Sequence, residues 1–191
     1  MVKLFLYALL LVASCIAPVA KAYAQEQDSL TTPENDNVQQ VVLFDRNTLS
    51  VDTSASIFVC SPLRTPKITS HFGMRRHPVT GNKSFHNGVD LIADNPVVMA
   101  IYDGMVVQAG EQEILGRFIC IDHGGVYSIY GHLSACLVDV GNKVRAGQDI
   151  GIMGRTGRVT GVHLHFSVRI STQYIDPIKF LLALQKQFLN Y

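Results

Sequence analysis

The chain reads as a mainly β domain, an antiparallel sandwich or partly open barrel carrying a C-terminal helix. Three observations predict that class. From Ile57 to about Ile170 the apolar residues come in short runs, without the long helical spacing of an amphipathic segment. Gly- and Asn-bearing turns punctuate those runs. One broad apolar stripe at helical spacing then closes the sequence. With 191 residues, 48% of them hydrophobic, the chain can bury one core of ordinary size.

In chain order, residues 1–24 read as a signal peptide. Met1-Val2-Lys3 is a short positive start, Leu4 to Val12 is an apolar run too short to span a bilayer comfortably, and Ala22-Tyr23-Ala24 offers a cleavage site before Gln25. Val12-Ala13-Ser14-Cys15 is the alternative, a lipoprotein signal ending before a lipid-modified Cys15; a retained leader is a third route. Each takes the protein out of the cytoplasm, so an exported protein of the periplasm or cell envelope is expected. Any membrane contact then runs through the lipid anchor or the leader. Residues 25–56 form a polar linker, most open at Thr31 to Asn37, with Val41-Val42-Leu43-Phe44 as its one apolar knot.

The domain spans 57–191. Its expected strands are Pro96–Ile101, Met105–Val107, Phe118–Ile121, Val126–Tyr130, Asp149–Met153 and the stretch Gly161–Val168. Asp103-Gly104, Gly124-Gly125 and Gly141-Asn142 supply turns, and His123-Gly124-Gly125 reads as a tight hairpin. Ser70 to Pro78 reads as a glycine-containing loop with two arginines. Asp176 can cap a helix begun by Pro177 and running to about Phe188, with Ile178, Leu181, Leu182, Leu184, Phe188 and Leu189 as its apolar face.

A net charge of +1, no tryptophan and no basic stripe exclude a nucleic-acid binder of the usual kind. Beyond the leader stand Cys60, Cys120 and Cys136, an odd number without a Cys-x-x-Cys pair, which suggests neither a disulfide framework nor a thiolate metal site. Cys120, inside Phe118–Ile121, is expected to be a buried thiol.

The chemistry concentrates in four places. Alternation along a strand turns His163, His165 and Ser167 to one face and Leu164, Phe166 and Val168 to the other, which brings two imidazoles within reach of one ion. Two histidines spaced two apart also arise by chance. His86 and Asp90 are four apart, so an extended segment would turn both to one face, with Gly88 leaving room for an ion or another strand. An Asp that merely holds a histidine fits equally well. Tyr130-Gly131-His132-Leu133-Ser134 places a histidine at a strand end, and Arg75 lies in the Ser70–Pro78 loop. The remaining His71, His77 and His123 fall in loops and turns.

Taken together, Ser-x-Phe-Gly-x-Arg-x-His-Pro, Phe-His-x-Gly-Val-Asp-Leu, Gly-His-Leu-Ser and Gly-x-x-Thr-Gly-x-His-Leu-His-Phe resemble the lysostaphin-type zinc metallopeptidases of bacterial peptidoglycan. The resemblance runs from about Pro66 to Asp176 and takes in Asp103-Gly104, Asp122-His123-Gly124 and Val144 to Gly151. It implies that His86, Asp90 and His165 hold one Zn2+ per chain, and that His132 and His163 are catalytic residues beside the position left open for water. Arg75 matches the family arginine, for which orienting a substrate carboxylate and forming a structural ion pair are both open. Ser167 stands where many relatives carry Glu, which bears on a hydrogen bond behind the metal or on a substrate contact. The function implied is a secreted zinc endopeptidase cutting peptide stems or cross-links, with a cell-wall machinery partner as a further possibility. A non-catalytic activator of a cell-wall amidase is the alternative, although such a relative is expected to lack some of these histidines. A phosphohistidine carrier is disfavoured by the export leader.

Overall fold

The computed structural model describes residues 59–76 and 82–189. The expected leader and linker, Cys15 and His77 lie outside the described residues. The strands are β1 (Lys67–Ser70), β2 (Gly73–Arg76), β3 (Lys83–His86), β4 (Val89–Ile92), β5 (Val97–Met99), β6 (Gly104–Gln112), β7 (Gly116–Asp122), β8 (Val126–Cys136), β9 (Lys143–Val144), β10 (Asp149–Met153), β11 (Leu164–Ile170) and β12 (Gln173–Ile175), followed by the helix α1 (Pro177–Leu189). The mainly β reading holds. A ten-stranded antiparallel sheet runs β1-β4-β11-β8-β7-β6-β9, with β12 added to β11, and β10 linking β8 to β5. β2 and β3 form a separate hairpin.

The alternation at β11 is the organising feature. Leu164, Phe166 and Val168 are fully buried in the main core with Leu91, Ile119, Ile121 and Tyr130. The opposite face of the same strand carries His165 and Ser167, which are buried as well. Centring β11 between β4 and β8 places His165 beside Asp90 on one side and Gly131 on the other.

β8 is longer than expected because it changes partners. Val126 to Gly131 pair with β11, whereas Leu133 to Cys136 pair with β10. His132 sits at the switch with φ 63°, a left-handed conformation rare for a non-glycine residue. The His123-Gly124-Gly125 hairpin forms as expected, with Asp122 Oδ1 accepting both glycine N–H groups at 2.9 and 2.8 Å.

The helix begins as its sequence predicts. Asp176 Oδ1 accepts from Ile178 N at 3.0 Å and Lys179 N at 3.3 Å, satisfying N–H groups that have no partner inside the helix. Leu181, Leu184 and also Phe180, absent from the expected stripe, are buried in the core. Cys120 and Cys136 are free thiols, with Cys120 buried as expected.

Two local readings are corrected. The Ser70–Pro78 segment is not simply a loop: β1 ends at Ser70 and Gly73–Arg76 is a strand paired with β3. His86 and Asp90 also do not share one extended strand. His86 ends β3 and Asp90 lies in β4, with a bend at Asn87-Gly88 between them. Period-two spacing could not reveal that bend, because a turn of two residues preserves the even offset.

Candidate metal centre and active site

The bend brings His86 and Asp90 together from different sheets. Gly88 is needed there: a Cβ would stand 2.5 Å from Phe166 O, 2.5 Å from Ser167 Oγ and 2.9 Å from His165 Nε2. The room expected beside Gly88 is therefore taken by β11. Its consequence is a triangle: His86 Nε2, Asp90 Oδ1 and His165 Nδ1 lie 3.1 Å apart on every edge.

Hydrogen bonds on the outer nitrogens fix what those inner atoms are. His86 Nδ1–H donates to His71 O at 2.8 Å; a carbonyl only accepts, so in the neutral ring Nε2 is bare. His165 Nε2–H can donate to Ser167 Oγ at 2.9 Å, which leaves Nδ1 bare. Ser167 thus supplies a hydrogen bond behind His165 itself. Burial disfavours charge on Asp90, but its contacts with His165 and His86 outweigh that and hold the carboxyl well below the usual carboxylate range. Burial lowers the His165 pKa and keeps that ring neutral.

Two lone pairs and an anionic oxygen at these separations repel one another unless a cation joins them. Tetrahedral zinc with bonds of about 2.0–2.2 Å sets its donors roughly 3.3 Å apart, close to this triangle. The three buried residues fit a divalent metal, and among the described residues they form the one His/Cys/Asp/Glu group so arranged.

His132 and His163 flank the triangle. Their rings stack edge to face with centroids 4.8 Å apart, His132 lies 5.7 Å from His165, and His163 Nε2 is 3.6 Å from Asp90 Oδ1. His132 Nδ1–H donates to Thr156 O at 3.0 Å and His163 Nδ1–H to Gly161 O at 3.1 Å, so each keeps a free Nε2. Burial, then the neighbouring His163, pushes the His132 pKa down to about 4. It is therefore a neutral imidazole, able to accept a proton, across the physiological range.

Thr156 was not legible as a site residue, since it precedes the Gly157–Phe166 motif. Its hydroxyl donates to Leu133 O at 2.7 Å and accepts from Arg117 N at 2.9 Å, which aims its own carbonyl at His132. His132 N–H is meanwhile fixed by Leu115 O at 2.7 Å. The left-handed residue is thus held by two other segments at once, the circumstance in which backbone strain persists at a working site.

Arg75 comes from β2. Its Nη1 donates to Ser70 Oγ at 2.7 Å and lies 3.4 Å from Asp90 Oδ2. Of the two roles left open, the geometry supplies the ion pair: Arg75 occupies the second carboxylate oxygen and leaves Oδ1 for the ion. Arg75, Asp90 and the four histidines border one groove of about 440 Å³, whose walls also include Phe85, Ile114 and Arg158.

The model of peptidase family M23 matches residues 84–177. The peptidoglycan DD-endopeptidase ShyC of Vibrio cholerae is 34% identical over 164 residues, covering 83% of this chain and 36% of the relative. The chain thus spans little more than a third of that curated relative. A zinc-containing peptidase from Vibrio cholerae shares the fold at 38% identity and TM-score 0.54, over 58% of this chain and 35% of that one. The catalytic domain of the antimicrobial peptidase lysostaphin from Staphylococcus simulans does so at 34% identity and TM-score 0.56, over 61% of this chain and 92% of the domain. In sequence and in fold alike, the chain belongs to peptidase family M23.

Proposed function

We propose that this chain is an exported zinc endopeptidase that hydrolyses the peptide stems or cross-links of bacterial peptidoglycan. The observation that carries the reading is the pairing of a buried His86/Asp90/His165 triangle with two further imidazoles whose free nitrogens border the same groove. The names of the relatives point to the substrate class. The leader read at residues 1–24, or the lipoprotein signal ending before Cys15, supports export to the periplasm or cell envelope.

His86, Asp90 and His165 would hold one Zn2+; when bound, the ion polarises an amide carbonyl and brings the pKa of water to about 7. His163 and His132 do the proton work. Neutral at Nε2, one accepts a proton from the attacking water, and the other, once protonated, stabilises charge on the carbonyl oxygen and donates to the leaving amine. The carbonyls of Thr156 and Gly161 keep both rings in the tautomer this needs. No His-Glu-x-x-His sequence is present, so no glutamate of that kind competes for the role of base.

The test is release of muropeptides from purified sacculi, with and without chelator. Release that stops on chelation and returns with zinc is expected. Zinc bound at one per chain with no release from sacculi or soluble cross-linked muropeptides would overturn the hydrolase reading in favour of the amidase activator.

A further inference from the structure

The groove holds a cation that the metal chemistry does not use. Asp90 is the one acid among the residues lining it, and its two oxygens face Arg75 and the histidine triangle. Arg158 lines the same groove from the segment between β10 and β11, and among the described residues its exposed guanidinium has no hydrogen-bond or ion-pair partner. Arg75 Nη1 is held by Asp90 and Ser70 and its Nε is buried, so it does not present an exposed fork of the same kind.

The backbone beneath Arg158 is fixed. Arg158 N–H donates to Ile114 O at 3.0 Å, and the Thr156 hydroxyl bonds to Arg117 N and Leu133 O nearby. Gly116 permits this contact, because a Cβ there would collide with Thr156. The same short segment supplies the carbonyls of Thr156 and Gly161 that orient His132 and His163. The backbone that carries this cation into the groove shared with both imidazoles is therefore ordered before a ligand arrives. A planar guanidinium matches a carboxylate through two parallel N–H···O bonds.

We propose that Arg158 forms a subsite for a carboxylate of the substrate, making this groove selective for acidic over amidated peptides. The proposal rests on the peptidase reading for the kind of ligand, a peptide whose free carboxylate lies near the bond to be cut. Selection acts on binding, so KM carries it more than kcat.

Calorimetric titration of the zinc-supplemented full chain with two synthetic stem peptides, alike except that one carboxylate is replaced by a carboxamide, tests it directly. The wild type should favour the acidic peptide by roughly ten- to a hundredfold, the range for a hydrogen bond to a charged group. Arg158→Gln should bring that ratio close to one, and Arg158→Glu should invert it. A wild-type ratio near one, or an unchanged ratio in Arg158→Gln, overturns the subsite. Because binding is read rather than cleavage, a chain with this preference that releases no muropeptides would refute the hydrolase reading and leave the subsite standing. Equal binding and cleavage of both peptides would do the reverse.

Discussion

A lone buried histidine and a cluster of four lie in this domain, and they differ in what their nitrogens meet. At His123 the network is closed. Nδ1–H donates to Asp103 O at 2.9 Å, and Nε2 accepts from the Ser128 hydroxyl at 2.7 Å. Ser128 is in turn hydrogen-bonded to the Tyr130 hydroxyl at 3.0 Å, which accepts Ile101 N–H at 3.0 Å. At the other group, His86, His132 and His163 each give one proton to a backbone carbonyl and His165 faces Ser167, while their remaining nitrogens turn toward Asp90 or the groove. Burial is common to His123 and to three of the four, His86, His132 and His165. A nitrogen left without a proton and aimed at its neighbours is what separates a reactive cluster from a structural one.

The largest effect that sharpens this contrast is expected inside the reactive cluster. His165→Ala removes one corner of the triangle and should abolish stoichiometric zinc, measured by metal analysis after dialysis. His163→Ala should retain the metal and lower kcat by about 10²–10⁴-fold, the usual contribution of a positioned acid or base. Equal zinc loss in the two variants would mean that the division between ligands and proton carriers is drawn in the wrong place.

Ser167→Ala comes next. It strips the partner from His165 Nε2 without touching a donor, so zinc affinity should fall by about 10–100-fold, read by competition with a chelator dye. Unchanged affinity would show that packing against Gly88, rather than this hydrogen bond, orients the ring.

The smallest effects belong to the closed network. His123→Ala leaves Ser128 and Asp103 O without their partner and should cost about 1–3 kcal/mol in denaturant unfolding, with zinc content unaltered. Burial lowers the His123 pKa below its ordinary 6.5. The unfolded chain therefore takes up a proton below about pH 6.5 that the native state refuses, and stability falls as pH drops from there toward the depressed native value. In metal-free protein, His123→Ala should flatten that fall by at most about 1.4 kcal/mol per pH unit relative to the wild type. Identical slopes would show that other groups govern it.

Much of the fold was legible because its signals are local. Period-two alternation identified β11, Asp176-Pro177 marked the start of α1, and Gly124-Gly125 marked the β7–β8 turn. The β2–β3 hairpin was not legible, since Gly73–Arg76 carries one strongly apolar residue, Met74, and that one is exposed. The extension of β8 through Gly131 and His132 was also missed, because changing from one partner strand to another leaves no trace in the spacing of the residues that do it.

The sequence by itself determined the identity of the donors, the even spacing that set His163, His165 and Ser167 on one face of their segment, and the family motifs that single out His86, Asp90 and His132. Only the tertiary structure decided which nitrogen of each ring is free, why Arg75 is engaged and Arg158 is not, and that Thr156 and Ser167 hold the site's histidines in place. The reason is physical: the chemistry of a side chain is local to its residue, whereas a proton's position on an imidazole depends on the atom packed against the far side of the ring, and for His86 and His132 those atoms come from residues 15 and 24 positions away in the chain, while for His163 and His165 they come from two residues along.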